Sequence, residues 1–223
     1  MPKQIDPNSN YTKGALKLIA TAEKLFGEYG IEGVSLRQIV TAAGLVNSYS
    51  IQHHFGSKEG LVQAVYDFRI PALEAGCRER FKLEQDSEGN ISIHGLLASR
   101  FLPMIDSFND QIQKTYSLFL LRLLFRSNAV HPYFRSKVPQ PATTEIVERL
   151  RNSFPKLPME VFNTRFRLAT DLFLGAMVEK KRLSSLSESF YKKDQFYWDE
   201  ILQAMESIFC MSYNGKKHKN IIS

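Results

Sequence analysis

SLRQIVTAAGLVNSYSIQHHFGSK, residues 35–58, is the stretch whose reading decides the fold of this chain. Ser35 can cap a helix, because its hydroxyl can accept from a backbone N–H one turn in. Leu36, Ile39 and Val40 repeat at i, i+3 and i+4, so that helix has one apolar face. Ala42, Ala43 and Gly44 follow. Small residues let a second helix come close, and Gly44 can take positive φ at the helix end. The next helix, roughly 47–53, is polar apart from Ile51 and Tyr49. Phe55 then turns inward, Gly56-Ser57 makes a turn, and Ser57 caps a longer helix opening at Glu59-Gly60-Leu61. A helix, a tight glycine turn and a polar helix are the parts of a helix-turn-helix, whose second helix enters the DNA major groove.

Working outward, Thr12 is placed to cap a first helix. Leu18, Ala22, Leu25, Phe26 and Tyr29 give it one apolar face, and Gly30 ends it. Residues 1–10 read as a polar arm. Downstream, 57–84 reads as one long helix with Leu61, Val65, Phe68, Leu73, Cys77 and Phe81 inward. Pro71 should kink it, since proline removes one backbone bond and crowds the preceding turn.

Residues 85–90 read as a loop by composition. Segments at about 92–108, 111–127, 141–154, 158–186 and 194–213 carry helical patterns, with no sustained period-2 alternation among them. The expected fold is all-α, with a helix-turn-helix unit at 1–56 and a helical bundle at 57–223.

Here the residues also resemble a family. The run AAGLVNSYSIQHHFGSKEGL, preceded by KLIATAEKLFGEYGIEGVSLRQIV, is similar to the DNA-binding domain of TetR-type transcriptional regulators. The stretch between Gly44 and Phe55 is one residue longer than in many members. His53 stands where a tyrosine is commoner. Beyond this unit the chain resembles the family only in length and helical character.

Asn47, Ser48, Tyr49 and Gln52 are the polar or amphipathic groups placed to face a groove. Asn and Gln can bond adenine bidentately, while Tyr and Ser serve bases or phosphates. Arg37 could reach guanine or a phosphate. The resemblance implies that Ser35, His53, His54 and Lys58 contact phosphates. It further implies a homodimer on a near-palindromic operator, acting as a repressor released by a small, largely apolar effector. A helical small-molecule carrier or enzyme is the alternative, and the helix-turn-helix discriminates against it.

Phe101, Tyr116, Phe119 and Phe173 are core aromatics that could also line an effector cavity, with Arg122 orienting a polar head group. Arg100, Arg126 and His94 are further polar residues set among these aromatics. The two last long helices present Leu172, Gly175 and Ala176, and Ile201, Met205 and Ile208. By resemblance these form a four-helix dimer interface.

The net charge of +6 adds little to the DNA reading. Residues 1–60 hold six Lys and Arg against five Asp and Glu, so most of the surplus lies further on. The hydrophobic fraction of 43% is ample for a core. No apolar run is long enough to span a bilayer and no secretory signal is visible, so a cytoplasmic location is expected. Cys77 and Cys210 are far apart and read as free thiols. His53-His54 lacks the company of a metal site. No nucleophile elbow or phosphate-binding loop occurs, so neither catalysis nor a cofactor is expected.

Overall fold

The computed structural model describes residues 11–45, 50–126, 130–184 and 194–213. Its regular elements are helical throughout. They are α1 (Lys13–Tyr29), α2 (Leu36–Ala42), α3 (Ser50–Phe55), α4 (Lys58–Leu83), α5 (Ile93–Phe101), α6 (Pro103–Asp106), α7 (Asp110–Leu124), α8 (Pro141–Asn152), α9 (Met159–Ser184) and α10 (Asp194–Cys210). A single turn of 3-10 helix, Pro132–Arg135, precedes α8.

The helix starts follow side-chain chemistry. Thr12 accepts from the Ala15 amide, Ser57 from Gly60, Ser92 from Gly95 and Asn109 from Ile112. Ser35 opens α2 with a reciprocal pair in which Gln38 reaches back to the Ser35 amide. α8 has no cap from its own N-terminal flank. Glu74 of α4 supplies one from across the body: its carboxylate accepts from the Ala142 amide at 2.9 Å, the Thr143 amide at 3.1 Å and the Thr143 hydroxyl. A negative group at a helix N-terminus also meets the dipole favourably.

α4 is the spine. Its first turns bury Leu61, Val62 and Val65 among α1 and α3, and its later turns bury Cys77 and Phe81 against α5 and α8. The helix continues through Pro71 without interruption. In α5, Gly95, Leu96, Leu97, Ala98, Ser99 and Phe101 are buried, while His94 and Arg100 are half-buried. Arg165 of α9, itself buried, donates to the Phe209 carbonyl at 2.6 Å near the C-terminal end of α10. The Tyr197 hydroxyl donates to the Ala176 carbonyl at 3.1 Å, so α9 and α10 are tied at two points.

Two boundaries differ from the sequence reading. The segment expected as one helix over 92–108 is two, α5 and α6, because Leu102-Pro103 interrupts it and Pro103 opens the new turn at its N-terminus. The turn at Pro132–Arg135 falls between the segments read as helical at 111–127 and 141–154. The arm at 1–10, like the N-terminal part of the second motif helix, falls outside the described residues. Both cysteines are free, Cys77 buried and Cys210 exposed. Among the described residues no helix is long and apolar enough to cross a membrane.

Candidate nucleic-acid interface

α1, α2, α3 and the first turns of α4 make one small packed unit. Ile31, Val34, Ile39, Val40 and Ile51 are buried in its centre with Leu18, Ala22, Phe26 and Leu61. Tyr11 pins the far side, its ring 6.4 Å from both Phe55 and Phe68. Between α3 and α4 the chain is tightly folded. Gly56 has φ of 71°, and a Cβ on Gly60 would stand 1.9 Å from the Phe55 carbonyl oxygen. Only glycine permits that approach, and the approach fixes how α3 projects from α4.

This burial leaves the polar faces outward. Arg37, Gln52 and His53 are exposed, while His54 and Lys58 are half-buried. The His53 and His54 rings meet edge to face at 4.8 Å. Ser35 is exposed, but its hydroxyl donates to Gln38 Oε1 at 2.8 Å and its amide donates to the same oxygen at 2.7 Å. Its donors are committed to the cap, while Arg37 and Lys58 are cations beside it that can meet a phosphate. Asn47, Ser48 and Tyr49 lie outside the described residues.

The unit is fastened to the rest of the chain by two charge clusters that sequence reasoning missed. Glu23 of α1 is buried; it accepts from the Thr115 hydroxyl of α7 at 2.6 Å and from Arg69 Nε of α4 at 2.8 Å. Arg126, just past α7, is shared by Glu32 of the α1–α2 link at 2.6 Å and Glu59 of α4 at 2.7 Å. The hydrogen bond from Arg126 holds the Glu59 carboxyl below its usual range. Both clusters join residues more than forty positions apart, so no local pattern announces them. Between them α1 packs along α7. Gly27 allows this, since a Cβ there would stand 3.0 Å from both Leu118 Cβ and the Thr115 carbonyl oxygen.

Residues 18–65, this same packed unit, match the model of a family described as bacterial regulatory proteins, tetR family. The chain carries a tetR-family DNA-binding segment. The tetR-type fold extends over the body as well. The structure is similar to the crystal structure of a tetR family transcription regulator from Shewanella sp. PV-4, at 14% identity and a TM-score of 0.51, over 89% of this chain and 96% of that one. A TetR variant from Acinetobacter baumannii AYE, crystallised with minocycline, is similar at 17% identity and a TM-score of 0.46, over 89% of this chain and 98% of that one. No curated protein matches the chain. The tetR-type head makes this a helix-turn-helix DNA-binding transcription regulator.

In the tetR-type body, the expected pocket residues do not form one wall. Tyr116 and Phe119 stack with each other at 6.1 Å and continue to Phe26 and Phe108. Phe101 and Phe173 meet at 5.2 Å in a separate cluster with Phe166 and Trp198. All four are fully buried core side chains. Arg122 does not join them. It is exposed on α7 and donates from Nε to the Gly27 carbonyl at 3.3 Å, because its position on the helix faces α1.

The expected interface residues also divide. Leu172, Gly175, Ile201 and Ile208 are half-buried in the single chain, whereas Met205 is fully buried and Ala176 nearly so. Met205 and Ala176 are covered by the chain's own residues. Ala176 is one residue round α9 from Gly175, whereas Met205 shares the i, i+4, i+7 row of Ile201 and Ile208 and is covered within the chain.

Proposed function

We propose that the protein is a repressor that binds a near-palindromic operator as a homodimer and releases it when a small effector occupies the helical body. The observation that carries this reading is the tetR-family match over the packed unit whose α2 and α3 leave Arg37, Gln52 and His53 exposed. The recognition helix, with Asn47, Ser48, Tyr49 and Gln52, reads bases, and Arg37, His53, His54 and Lys58 hold phosphates. Two heads on a two-fold axis require half-sites about 34–36 Å apart or a multiple of that.

The dimer reading is supported by an unpartnered stripe on α9. Leu168 is 45% exposed, and a Cβ on Gly175 would meet nothing within 4 Å. Release by an effector is supported by the Glu23 and Arg126 clusters, which tie the head to α4 and α7 of the body. An effector lowers DNA affinity only by preferring the conformation that binds DNA poorly.

The test is selection of genomic fragments by the purified protein against excess competitor DNA, followed by salt titration. A preferred near-palindrome is expected. Lys58→Ala should weaken all sequences alike and lower the salt slope by about one unit. No preference for any sequence over random DNA would defeat the reading.

A further inference from the structure

The DNA-binding head carries little charge of its own. Residues 1–60 hold six Lys and Arg against five Asp and Glu, so most of the +6 lies in the body. Phosphate attraction grows with the number of cations brought to the DNA backbone, so a body cation held beside the head adds to it. The structure holds two there, Arg126 and Arg135.

Arg135 arrives on the turn Pro132–Arg135, which runs back along the first turns of α4. The His131 ring stands edge-on to Tyr66 at 5.6 Å, Gln63 Nε2 donates to the Pro132 carbonyl at 3.1 Å, and Arg135 Nη2 lies 3.6 Å from Glu59 Oε2. The partners on α4 thus step from Tyr66 to Gln63 to Glu59, toward the start of that helix. The turn is braced within itself as well. His131 Nδ1 accepts from the Tyr133 amide at 3.2 Å, and the Pro132 carbonyl accepts from the Ser136 amide at 2.9 Å.

The place it reaches is the edge of the head. Glu59 follows Lys58, and Arg126 ties Glu59 to Glu32, three residues before Ser35. The cluster therefore joins the starts of α2 and α4, the two helix starts that carry Arg37 and Lys58. The two body arginines differ in what they have left to offer. Arg126 spends Nε and Nη2 on Glu32, and Nη1 and Nη2 on Glu59, at 2.6 to 3.0 Å. Both Glu59 oxygens are taken by it. Arg135 meets that occupied carboxylate more loosely, and its side chain is 40% exposed. An exposed pair of this kind is worth little, and guanidinium cannot shed its charge.

We propose that Arg135 is a phosphate contact in the DNA complex, so that the interface extends from the helix-turn-helix onto the body. The planar fork presents parallel N–H groups to phosphate oxygens. Its loose pairing with Glu59 holds the side chain at the head without consuming that fork. The inference rests on the head binding DNA and adds a contact from outside the residues that match the family model.

Arg149 supplies a control. It is 41% exposed and pairs with Glu145 at 2.8 Å, but it sits on α8 over the Phe81 ring, toward the other end of α4. Full-length protein is titrated onto a labelled random-sequence duplex, long enough for two half-sites, between about 50 and 200 mM salt. R135Q should lower the salt slope by about one unit for each protomer bound, so that affinity falls about 3.5-fold less per contact across that range. R135K keeps the charge and should keep the slope. R149Q should leave the slope unchanged.

A mere strut for Glu59 would lose its effect once Glu59 is gone. R135Q is therefore also made in an E59Q background, where it should still lower the slope. An R135Q slope equal to the parent's, an equal fall in R149Q, or no effect of R135Q in E59Q would each overturn the contact. Sequence preference is scored separately by the genomic selection. An Arg135-dependent slope in a protein that prefers no sequence would keep the contact and remove the repressor.

Discussion

Gly60 and Glu74 show how single residues fix this molecule. At Gly60 a methyl group would sit inside the van der Waals envelope of the Phe55 carbonyl oxygen, a backbone atom that can move only by shifting α3. Gly60→Ala should therefore cost at least about 2 kcal/mol in denaturant unfolding. Gly14→Ala, where the nearest atom is an ordinary 3.8 Å away, should be neutral or slightly stabilising. Equal midpoints for the two variants would show that the junction relaxes freely. Glu74 acts at a distance from its own helix. Glu74→Ala removes the acceptor for two buried amides of α8 and should cost roughly 2–3 kcal/mol, with a smaller loss for Glu74→Gln, which keeps one acceptor oxygen. Thermal melts of the three proteins order these stabilities, and an Ala variant as stable as the parent would mean that water replaces the cap.

Among the elements, α4 runs from the DNA-binding head into the body. Lys58 and Glu59 begin it at the head, Arg69 meets Glu23 in its middle, and Glu74, Cys77 and Phe81 anchor it in the body. Pro71 falls between the Glu23 contact and the Glu74 contact. It takes one backbone bond out of the helix there, so bending is easier at that level than on either side. Pro71→Ala should stiffen this joint. Its effect should be larger on the ratio of operator affinities with and without effector than on operator affinity of the free protein. A shift of the ratio by about five-fold corresponds to roughly 1 kcal/mol of coupling. An unchanged ratio, measured by anisotropy on labelled operator, would reduce Pro71 to a packing bend.

For the whole molecule the open question is what covers the outer stripe of α9 and α10. Leu168, Leu172 and Gly175 lie on one side of α9 at helical spacing, and Ile201 and Ile208 lie on α10 with the exposed Met211 just past its end. The neighbouring Ala176 and Met205 are sealed inside the chain. Two adjacent substitutions therefore have different outcomes. Gly175→Glu should yield a folded monomer, because the new charge stands at the surface of the isolated chain and is buried only in a dimer. Ala176→Glu should lower Tm at any protein concentration, because its charge is buried in the monomer already. Sedimentation with parallel thermal melts distinguishes the two, and a parent protein that sediments as a monomer at micromolar concentration would refute the dimer.

The sequence alone determined the parts that depend on neighbours. Caps at Thr12, Ser35 and Ser57, the stop at Gly30 with φ of 80° and the positive φ at Gly44 follow from bonds within a few residues of each position. The helix-turn-helix was legible for that reason, as was the all-α class. The sequence also marked Phe101, Tyr116, Phe119 and Phe173 as apolar core. It could not show which of them meet, because stacking depends on how separate helices are rotated against each other. Tertiary structure decided that Arg122 faces α1, that Ala176 and Met205 point inward, and that Glu74 caps a helix nearly seventy residues away. It also left the buried Arg100 Nε without an acceptor among the described residues. Charged and polar groups find partners by proximity in space, and a linear pattern carries no record of that proximity beyond a turn or two.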